Sequence, residues 1–451
     1  MILRILIPFL IFLTISSSRA FGANEAKKII SLNGITILLL ESHTLPMVQI
    51  DLLVRSGSIL DPEGKAGLAY LTANLLEEGT EKRTSKQIAD EMDSIGTNFS
   101  ASPGSDYSTF SLKLLKKDLE KGLDLFSDIL IHPKFSDEEL SREKNELQSQ
   151  LLDQKDDPET VASLEFDKAV FGKHPYHLPV DGDELTIRNI TSEDLREFYK
   201  AYYNPTNSIL VFVGDLTETE AKLLVDKFFG KWPSHLSSLP KHPLPLKTMK
   251  KEIILIDKDL AQTSVIIGNI GINRLNPDYY PLQVMNYILG GGGFSSRMLT
   301  NIRENKGLVY ELDSHFYPYL ETGSFRVVLQ TKNASANEAI TEVLKEIRKI
   351  QNESVSPAEL QEAQDYLIGS FPLKMDTYGK LAGFLMTQEF YGLGLDYFEK
   401  YSQWIKKVTL PEVQRVAKQY LDPDHFVLVA VGKQSEAKIN LNQTSGVGDN
   451  R

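Results

Sequence analysis

Cysteine is absent from the 451-residue chain, and so are blocks of basic residues. Without Cys the chain has no disulfide, no thiolate nucleophile, no Cys-based metal site and no lipid-anchored Cys. After the N-terminal stretch, no segment has the roughly 18 consecutive apolar residues that a membrane-spanning helix needs. The lack of basic blocks and the formal net charge of -12 argue against nucleic acid or anionic membrane as a partner.

The composition is that of a globular protein, with 41% hydrophobic and 24% charged residues and enough chain for two cores. A short positive start, an apolar stretch over residues 5–15 and small residues up to Ala20 are typical of a signal peptide. We therefore expect residues 1–20 to be removed, with cleavage after Ala20 or near Ala23. The mature chain is then expected to be periplasmic or secreted.

A long segment occurs twice in the chain at a constant offset of 218 residues. Residues 191–214 read TSEDLREFYKAYYNPTNSILVFVG, and residues 409–432 read TLPEVQRVAKQYLDPDHFVLVAVG. Each copy predicts an amphipathic helix, a turn marked by proline and an apolar strand that ends at glycine. A match of this length without gaps indicates two homologous halves, because the offset is far longer than a solenoid repeat of about 20–50 residues.

The segment between the two halves is rich in proline, serine and lysine, which is typical of a linker. The predicted boundaries are a first domain over 24–232, a linker over 233–251 and a second domain over 252–433. The polar tail over 434–451 is predicted to be disordered. Strands mixed with pairs of helices predict an α+β fold, in which each half is a sheet with helices packed on one face.

Local signals divide the first half into strands and helices. Asn33-Gly34 predicts a hairpin turn ahead of a strand over 35–40, and the alternating pattern over 47–55 predicts a strand with one apolar face. Thr84 or Ser85 is the expected cap of the second of four helices, and Ser136 with Glu139 predicts a capping box at the fourth. The four helices are predicted over 68–78, 85–95, 117–130 and 136–155.

One helix carries the most informative motif, GLAYLTANLLEEGT over residues 67–80. It resembles the zinc-site helix of the insulinase-like (pitrilysin, M16) metallopeptidases, where His-x-x-Glu-His lies between Gly-x-Ala and Gly-Thr. The resemblance puts Tyr70 at the first ligand position, Ala73 at the general-base position and Asn74 at the second ligand position. The third ligand, a glutamate in active members, corresponds to Gln150, or to Leu151 if the register slips by one.

These residues predict a degenerate zinc site. Catalytic zinc needs three ligands of the His, Glu or Asp type and an open position for water. Tyr70, Asn74 and Gln150 are neutral and poor ligands, and Ala73 cannot accept a proton from water. We therefore expect no metal and no peptidase activity from this chain alone, and Tyr70, Ala73 and Asn74 are interpreted as ordinary packing residues of a core helix.

The resemblance covers nearly the whole mature chain and includes the text RENKGLVY over residues 303–310. In the M16 family, two halves form a clamshell, and the second half directs an arginine and a tyrosine seven residues apart at the zinc. Arg303 and Tyr310 match that pair. An arginine offers a rigid fork of donors to peptide carbonyls, and a tyrosine hydroxyl can donate to the oxyanion formed when water attacks the peptide.

Some bacterial members of the family divide the zinc motif and the Arg–Tyr pair between two chains. The resemblance therefore implies the zinc-free subunit of a heterodimeric or larger M16 zinc endopeptidase, with zinc on the partner and peptides or unfolded segments as substrates. The alternative is a non-enzymatic protein with the same fold that binds peptides or serves as a scaffold in an assembly.

Other possible sites are weaker. His174 and His177 have i, i+3 spacing, with Asp181 and Asp183 nearby, but prolines at 175 and 179 predict a loop, so we do not expect a metal there. The glycine run over 290–293 lacks the Lys-Ser/Thr of a phosphate-binding loop and follows a helix instead of preceding one. The chain lacks the Gly-x-Ser-x-Gly motif that carries the nucleophile of many serine hydrolases, so the sequence does not indicate that class of enzyme.

Overall fold

The computed structural model describes residues 26–235, 238–247 and 249–441 and has the predicted α+β fold, with two sheets and many helices. The predicted signal peptide lies outside the described residues. The strands are β1 (Lys27–Ile30), β2 (Thr36–Glu41), β3 (Met47–Val54), β4 (Ser100–Pro103), β5 (Ser108–Leu115), β6 (Ser208–Gly214), β7 (Glu252–Asp257), β8 (Gln262–Ile270), β9 (Val309–Pro318), β10 (Gly323–Lys332) and β11 (Val427–Gly432).

Helices connect these strands in both halves. They are α1 (Leu68–Asn74), α2 (Ser85–Ser94), α3 (Leu119–Ile131), α4 (Asp137–Gln154), α5 (Pro158–Phe171), α6 (Glu184–Asn189), α7 (Ser192–Tyr202), α8 (Glu218–Phe229), α9 (Tyr279–Asn286), α10 (Ala336–Asn352), α11 (Pro357–Ser370), α12 (Tyr378–Tyr391), α13 (Tyr397–Lys407), α14 (Leu410–Tyr420) and α15 (Gln434–Ala437). Among the described residues, no helix combines the length and the apolar character needed to cross a membrane.

The two sheets have the same topology apart from the additional edge strand β1 of the first sheet. The first has the order β1-β2-β6-β3-β5-β4 and the second the order β7-β11-β8-β10-β9. The repeated strands β6 and β11 run parallel to β2 and β7, and antiparallel to β3 and β8, respectively. The repeated helices α7 and α14 both start in capping boxes, formed by Thr191 and by Thr409. These matching elements confirm the internal duplication.

Each half lends one helix to the sheet of the other half. Helix α5 belongs to the first half but packs on β8 and β11, and helix α12 belongs to the second half but packs on β3 and β6. Phe166 of α5 lies in one core with Val427 and Val429 of β11. Strand β8 lies so close to α5 that a Cβ atom on Gly268 would be 2.9 Å from Cζ of Phe166.

The exchange explains why the first sheet is buried on both faces. Helices of the first half cover one face, as predicted, while Tyr378, Leu385 and Phe390 of α12 pack on the opposite face against β2, β3 and β6. The alternation over 47–55 predicted a single apolar face, but β3 is buried from Val48 to Val54. The polar residues of β3 satisfy each other instead of facing solvent, with Gln49 donating to Asp51 at 2.6 Å.

Local predictions were confirmed in part. The hairpin at Asn33-Gly34 joins β1 to β2, and Thr84 caps α2 in a full capping box with Gln87. Ser136 caps α4 as predicted, but the capping box with Glu139 was wrong, because the Glu139 carboxylate accepts from Arg142 at 2.9 Å. Helix α1 ends at Asn74, four residues before the predicted end.

The predicted disorder of the tail was wrong for residues 434–441. These residues follow β11 directly and include α15, in which Ala437 is buried. The Gln434 amide donates to the carbonyls of Ile256 and Gly432, both at 3.1 Å, which ties the helix to the end of the second sheet. The remainder of the tail, 442–451, lies outside the described residues.

Replacing Phe166 with alanine tests the exchange of helices. The ring is fully buried, so Phe166→Ala should lower the free energy of unfolding by about 3–5 kcal/mol in urea titrations. Trp232 and Trp404 lie in different halves, so single-Trp variants report on each half separately. Both reporters should shift together in one transition, because the helix of one half completes the core of the other.

The control is Leu152→Ala, on the exposed side of α4, which should change the free energy of unfolding by no more than about 0.5 kcal/mol. Two separate transitions, of which Phe166→Ala moves only one, would contradict mutual dependence of the halves.

Candidate functional site

The helix that corresponds to the zinc-site helix is fixed at its start by an aspartate. The Asp61 carboxylate accepts from the backbone amides of Gly67, at 2.9 Å, and Ala69, at 2.8 Å. Burial raises the pKa of Asp61 to about 7, although these amide bonds act in the opposite direction. Gly67 has a φ of 90°, and a Cβ atom there would lie 2.8 Å from the carbonyl oxygen of Asp181. Glycine is therefore required at the turn into α1.

The three motif residues on α1 serve packing and local hydrogen bonding. Ala73 is fully buried in the core, and Tyr70 is half-buried and packs against the same core. The Asn74 side chain interacts with the Tyr70 hydroxyl, while burial together with the charges of Glu143 and Asp181 raises the pKa of Tyr70. The hydroxyl therefore stays protonated, and a neutral phenol is a poor ligand for zinc.

The residues present do not fit a catalytic zinc ion. Gln150 lies exposed on α4, and within the described part of the chain it makes no hydrogen bond to Tyr70 or Asn74. A phenol, two amides and a methyl group supply neither the anionic and imidazole donors nor the general base of such a site. The structure brings Tyr70 and Asn74 together, but as partners of each other.

A cluster of carboxylates lies one turn beyond these residues. Burial, with the negative charges of Glu78 and Glu143, raises the pKa of Glu77 to about 7. Glu78 is neutralised by Arg142 at 2.6 Å, and Arg142 also pairs with Glu139 and Glu146. Glu77 has no such basic partner among the described residues, so its charge changes near neutral pH.

The structure does bring Arg303 and Tyr310 together. Arg303 lies in a π-helical segment, Leu299–Asn305, and Tyr310 is the second residue of β9. Gly307, with a φ of 62°, turns the chain between them, and its amide donates to the Arg303 carbonyl at 2.9 Å. The guanidinium carbon lies 5.8 Å from the centre of the Tyr310 ring, and the ring is 71% exposed.

A third residue, Phe294, completes this group. Its ring centre lies 5.0 Å from the guanidinium carbon of Arg303, and it is 66% exposed. Exposed rings on a cation keep it oriented by cation–π attraction, yet leave its N–H donors free. Within the described residues, the Arg303 side chain makes no hydrogen bond or ion pair to protein. We call Phe294, Arg303 and Tyr310 the exposed arginine cluster.

The glycine run holds Phe294 in place by close packing. A Cβ atom on Gly290 would lie 2.4 Å from the Ser314 hydroxyl of β9. Asn286 and Ser314 exchange two hydrogen bonds, at 2.7 and 2.8 Å, which fasten the run to the strand. Sequence reasoning treated the run as a turn and missed Phe294, although an aromatic residue directly after four glycines was the available signal.

Two polar anchors hold the segment that carries Arg303. Arg297 forms a double hydrogen bond to Glu359 of α11, at 2.6 and 2.9 Å, which lowers the pKa of Glu359 to about 2. Asn301 donates to Glu342 and Glu346 of α10, both at 3.0 Å. Arg303 is therefore presented by a supported segment.

The alternative His174–His177 pair is not assembled. His177 Nδ1 contacts the backbone oxygen of His174 at 2.8 Å, Asp183 caps α6, and Asp181 accepts from Gln154 at 2.9 Å. Each of these groups is therefore used in a separate structural contact.

Fold and site together define a two-half peptidase scaffold whose metal ligands have been replaced. A family profile described as "Insulinase (Peptidase family M16)" matches residues 36–184, and one described as "Peptidase M16 inactive domain" matches residues 189–367. A protein of Rickettsia bellii named "Uncharacterized zinc protease" is 30% identical over 336 residues, which are 74% of this chain and 79% of that relative. The chain belongs to peptidase family M16.

Two further comparisons concern proteins whose names describe them as inactive. A Helicobacter pylori protein named "Non-peptidase homolog YmxG" is 24% identical over 410 residues, covering 88% of this chain and 92% of that one. The crystal structure of a peptidase M16 inactive domain from Pseudomonas fluorescens is 30% identical, with a TM-score of 0.84. It covers 90% of this chain and 98% of its own. The similarity thus extends to full-length homologues.

Removing the charge of Glu77 tests the electrostatics of the degenerate site. The pKa of Glu77 is about 7 in the folded protein and near 4.5 in the unfolded chain. Between these values the folded state binds more protons, so this group's contribution to stability is full below pH 4.5 and is lost as the pH rises through 7. Glu77→Gln should therefore exceed wild type in unfolding free energy at pH 8 by about 2–3 kcal/mol, and the difference should shrink toward zero below pH 5.

Urea titrations from pH 4.5 to pH 8.5 measure this difference. Glu63→Gln, at an exposed position ahead of α1, is the control and should follow wild type at each pH. If Glu77→Gln and wild type had the same free energy of unfolding at pH 8, the folded state would not disfavour the charged form of the Glu77 carboxyl group.

Proposed function

We propose that this chain is the zinc-free subunit of a heteromeric M16 zinc endopeptidase, a heterodimer or larger. In this assembly, the exposed arginine cluster faces a peptide held by an M16 homologue with an intact zinc motif. The observation that carries the proposal is that Arg303 and Tyr310 lie side by side while Arg303 has no protein acceptor within the described residues. A supported, partly exposed arginine with free donors is suited to bind a group from outside the chain.

Each member of the cluster has a distinct proposed task. The Arg303 fork donates to backbone carbonyls of the peptide and fixes its direction. The Tyr310 hydroxyl donates to the carbonyl oxygen that becomes negative during attack by water, and such a donor is most effective when it is already in place. Phe294 keeps the guanidinium oriented and offers an apolar surface to a side chain of the peptide. The partner's zinc, when bound, supplies the activated water.

The position of Tyr310 also suits an extended substrate. Strand β9 is at the edge of the second sheet, and Tyr310 is near its start. An extended peptide can add to such an edge through main-chain hydrogen bonds. This favours peptides and unfolded segments as substrates, because a folded protein does not present a free strand. We also propose export of the mature chain to the periplasm or the medium, on the signal-peptide pattern of residues 1–20.

A second candidate function is a non-enzymatic one, in which the chain binds peptides or serves as a scaffold in an assembly. The replacement of every zinc-site residue and the similarity to a protein named a non-peptidase homolog favour it. In that case, the cluster binds peptides that are not cut, or it has no ligand.

Reconstitution with a partner separates these functions. The mature chain is assayed with a library of quenched peptides, alone and mixed with the zinc-motif M16 chain of the same organism. We expect no cleavage by the chain alone and cleavage by the mixture. Arg303→Ala and Tyr310→Phe should each lower kcat/KM of the mixture by roughly 10²-fold, the cost of removing one preorganised donor.

Arg348→Ala is the matched control, because Arg348 is exposed on α10 and pairs with Asp424 away from the cluster. It should leave cleavage unchanged. If the mixture cleaves no peptide and the chain alone binds peptides tightly, the result favours the non-enzymatic function. Metal-dependent cleavage by the chain alone would contradict the loss of the zinc site.

A further inference from the structure

Three potential metal ligands meet where the first half, the linker and the second half come together. His174 precedes a short helical turn of the first half, His242 lies in the linker, and Glu321 lies between β9 and β10. The Glu321 Oε2 atom is 2.9 Å from His174 Nε2 and 3.3 Å from His242 Nδ1. The residues are 147 and 79 positions apart in the chain, so only the fold assembles them.

The distances suit a single small cation. A tetrahedral zinc ion with bonds of about 2.0–2.1 Å to N and O ligands holds those ligand atoms about 3.3 Å apart. The three candidate atoms here lie within 4.8 Å of one another, so the two contacts to Glu321 are already near that spacing and the two imidazole nitrogens must approach each other by at most about 1.5 Å. Two imidazoles and one carboxylate form a donor set that catalytic zinc sites also use, and the fourth position is left for water.

The surroundings are pre-arranged and negatively charged. The His174 side chain is fully buried, and Glu321 and His242 are each about one-fifth exposed. The loop is held by Asp106, which accepts from the Leu320 amide at 2.9 Å and from the Tyr176 hydroxyl. Glu321 and Asp106 therefore place two carboxyl groups beside the histidines, an arrangement that suits a dication.

We propose that His174, His242 and Glu321 bind one divalent transition-metal ion, zinc, which fastens the linker to both halves. The described part of the linker has no helix or strand of its own, so a bond at His242 restricts it more than most single contacts can. The site is separate from the degenerate zinc site on α1, and it uses His174 but not His177. It requires no partner chain and does not depend on the proposed function.

Metal binding competes with hydrogen bonds that the three residues otherwise make. The Tyr176 amide donates to His174 Nδ1 at 3.3 Å, so in the metal-free protein the ring proton is on Nε2 and points at Glu321. Ligation through Nε2 moves that proton to Nδ1 and gives up the Tyr176 contact, which is the longest contact of the ring.

Titration of the metal-free full mature chain with zinc chloride tests the proposal by calorimetry. We expect one zinc ion per chain. His242→Gln and Glu321→Gln should each weaken binding on the order of tenfold or more, since losing a direct ligand costs at least as much as losing a group behind it. Both positions are partly exposed, so the variants should fold, which circular dichroism checks.

Two histidines serve as matched controls. His235 is also in the linker, and it contacts the carbonyl of Ala201 at 3.1 Å, while His177 is in the same loop as His174. His235→Gln and His177→Gln should bind zinc as wild type does. A visible absorption band of the cobalt-loaded chain should disappear in His242→Gln and persist in both controls.

Limited proteolysis at each step of the same titration shows whether bound zinc restricts the linker. Adventitious zinc would leave the protease sensitivity of the linker unchanged. Zinc should protect the peptide bonds around His242 in wild type but not in His242→Gln. The proposal is overturned if the chain binds no zinc, if His242→Gln and Glu321→Gln bind it as wild type does, or if zinc leaves the linker as sensitive to protease as before.

Discussion

The reciprocal exchange of α5 and α12 is the constraint on which the rest of this structure depends. The central strands of both sheets are buried on two faces, and each half supplies helices for only one of these faces. The second face is closed by a helix that comes from the other half, so neither core is complete alone. Because interiors are close-packed, the halves have little freedom to move relative to each other. Helix α1 and the exposed arginine cluster therefore occupy fixed positions on one frame.

Two motifs lie on this frame, the α1 motif and the exposed arginine cluster, and their side chains are used in different ways. At the first, the residues at the motif positions serve the fold: Tyr70 interacts with Asn74, and Ala73 packs in the core. At the second, Arg303 makes no hydrogen bond or ion pair within the described residues and lies between two exposed rings. The first motif is therefore used within the chain, whereas the second is consistent with binding outside it.

The sequence predicted those features that depend on local pattern or on the repeat, such as two homologous halves and the cap at Thr84, whereas the pairing of Arg303 with Tyr310 was implied by the family resemblance. It could not predict contacts between distant segments. The alternation in β3 indicated one exposed face because nothing in residues 47–55 encodes the arrival of α12. Glu139 failed to complete its capping box because Arg142 competes for the carboxylate. His242 and Glu321 carry no spacing signal with His174, so their meeting is visible only in three dimensions.

The central claim is that this chain supplies the arginine cluster, but no metal, to a peptide bound with a zinc-bearing partner. Because the chain has no Cys, Glu304→Cys can carry a photo-crosslinker beside Arg303, with Glu399→Cys on α13 as the distant control. The most direct measurement mixes each labelled chain with the partner and an uncleaved peptide and identifies the cross-linked species by mass spectrometry. The account predicts a peptide cross-link from position 304 only when the partner is present, and none from position 399. A peptide that never cross-links at 304, or that does so equally from both positions, would contradict it.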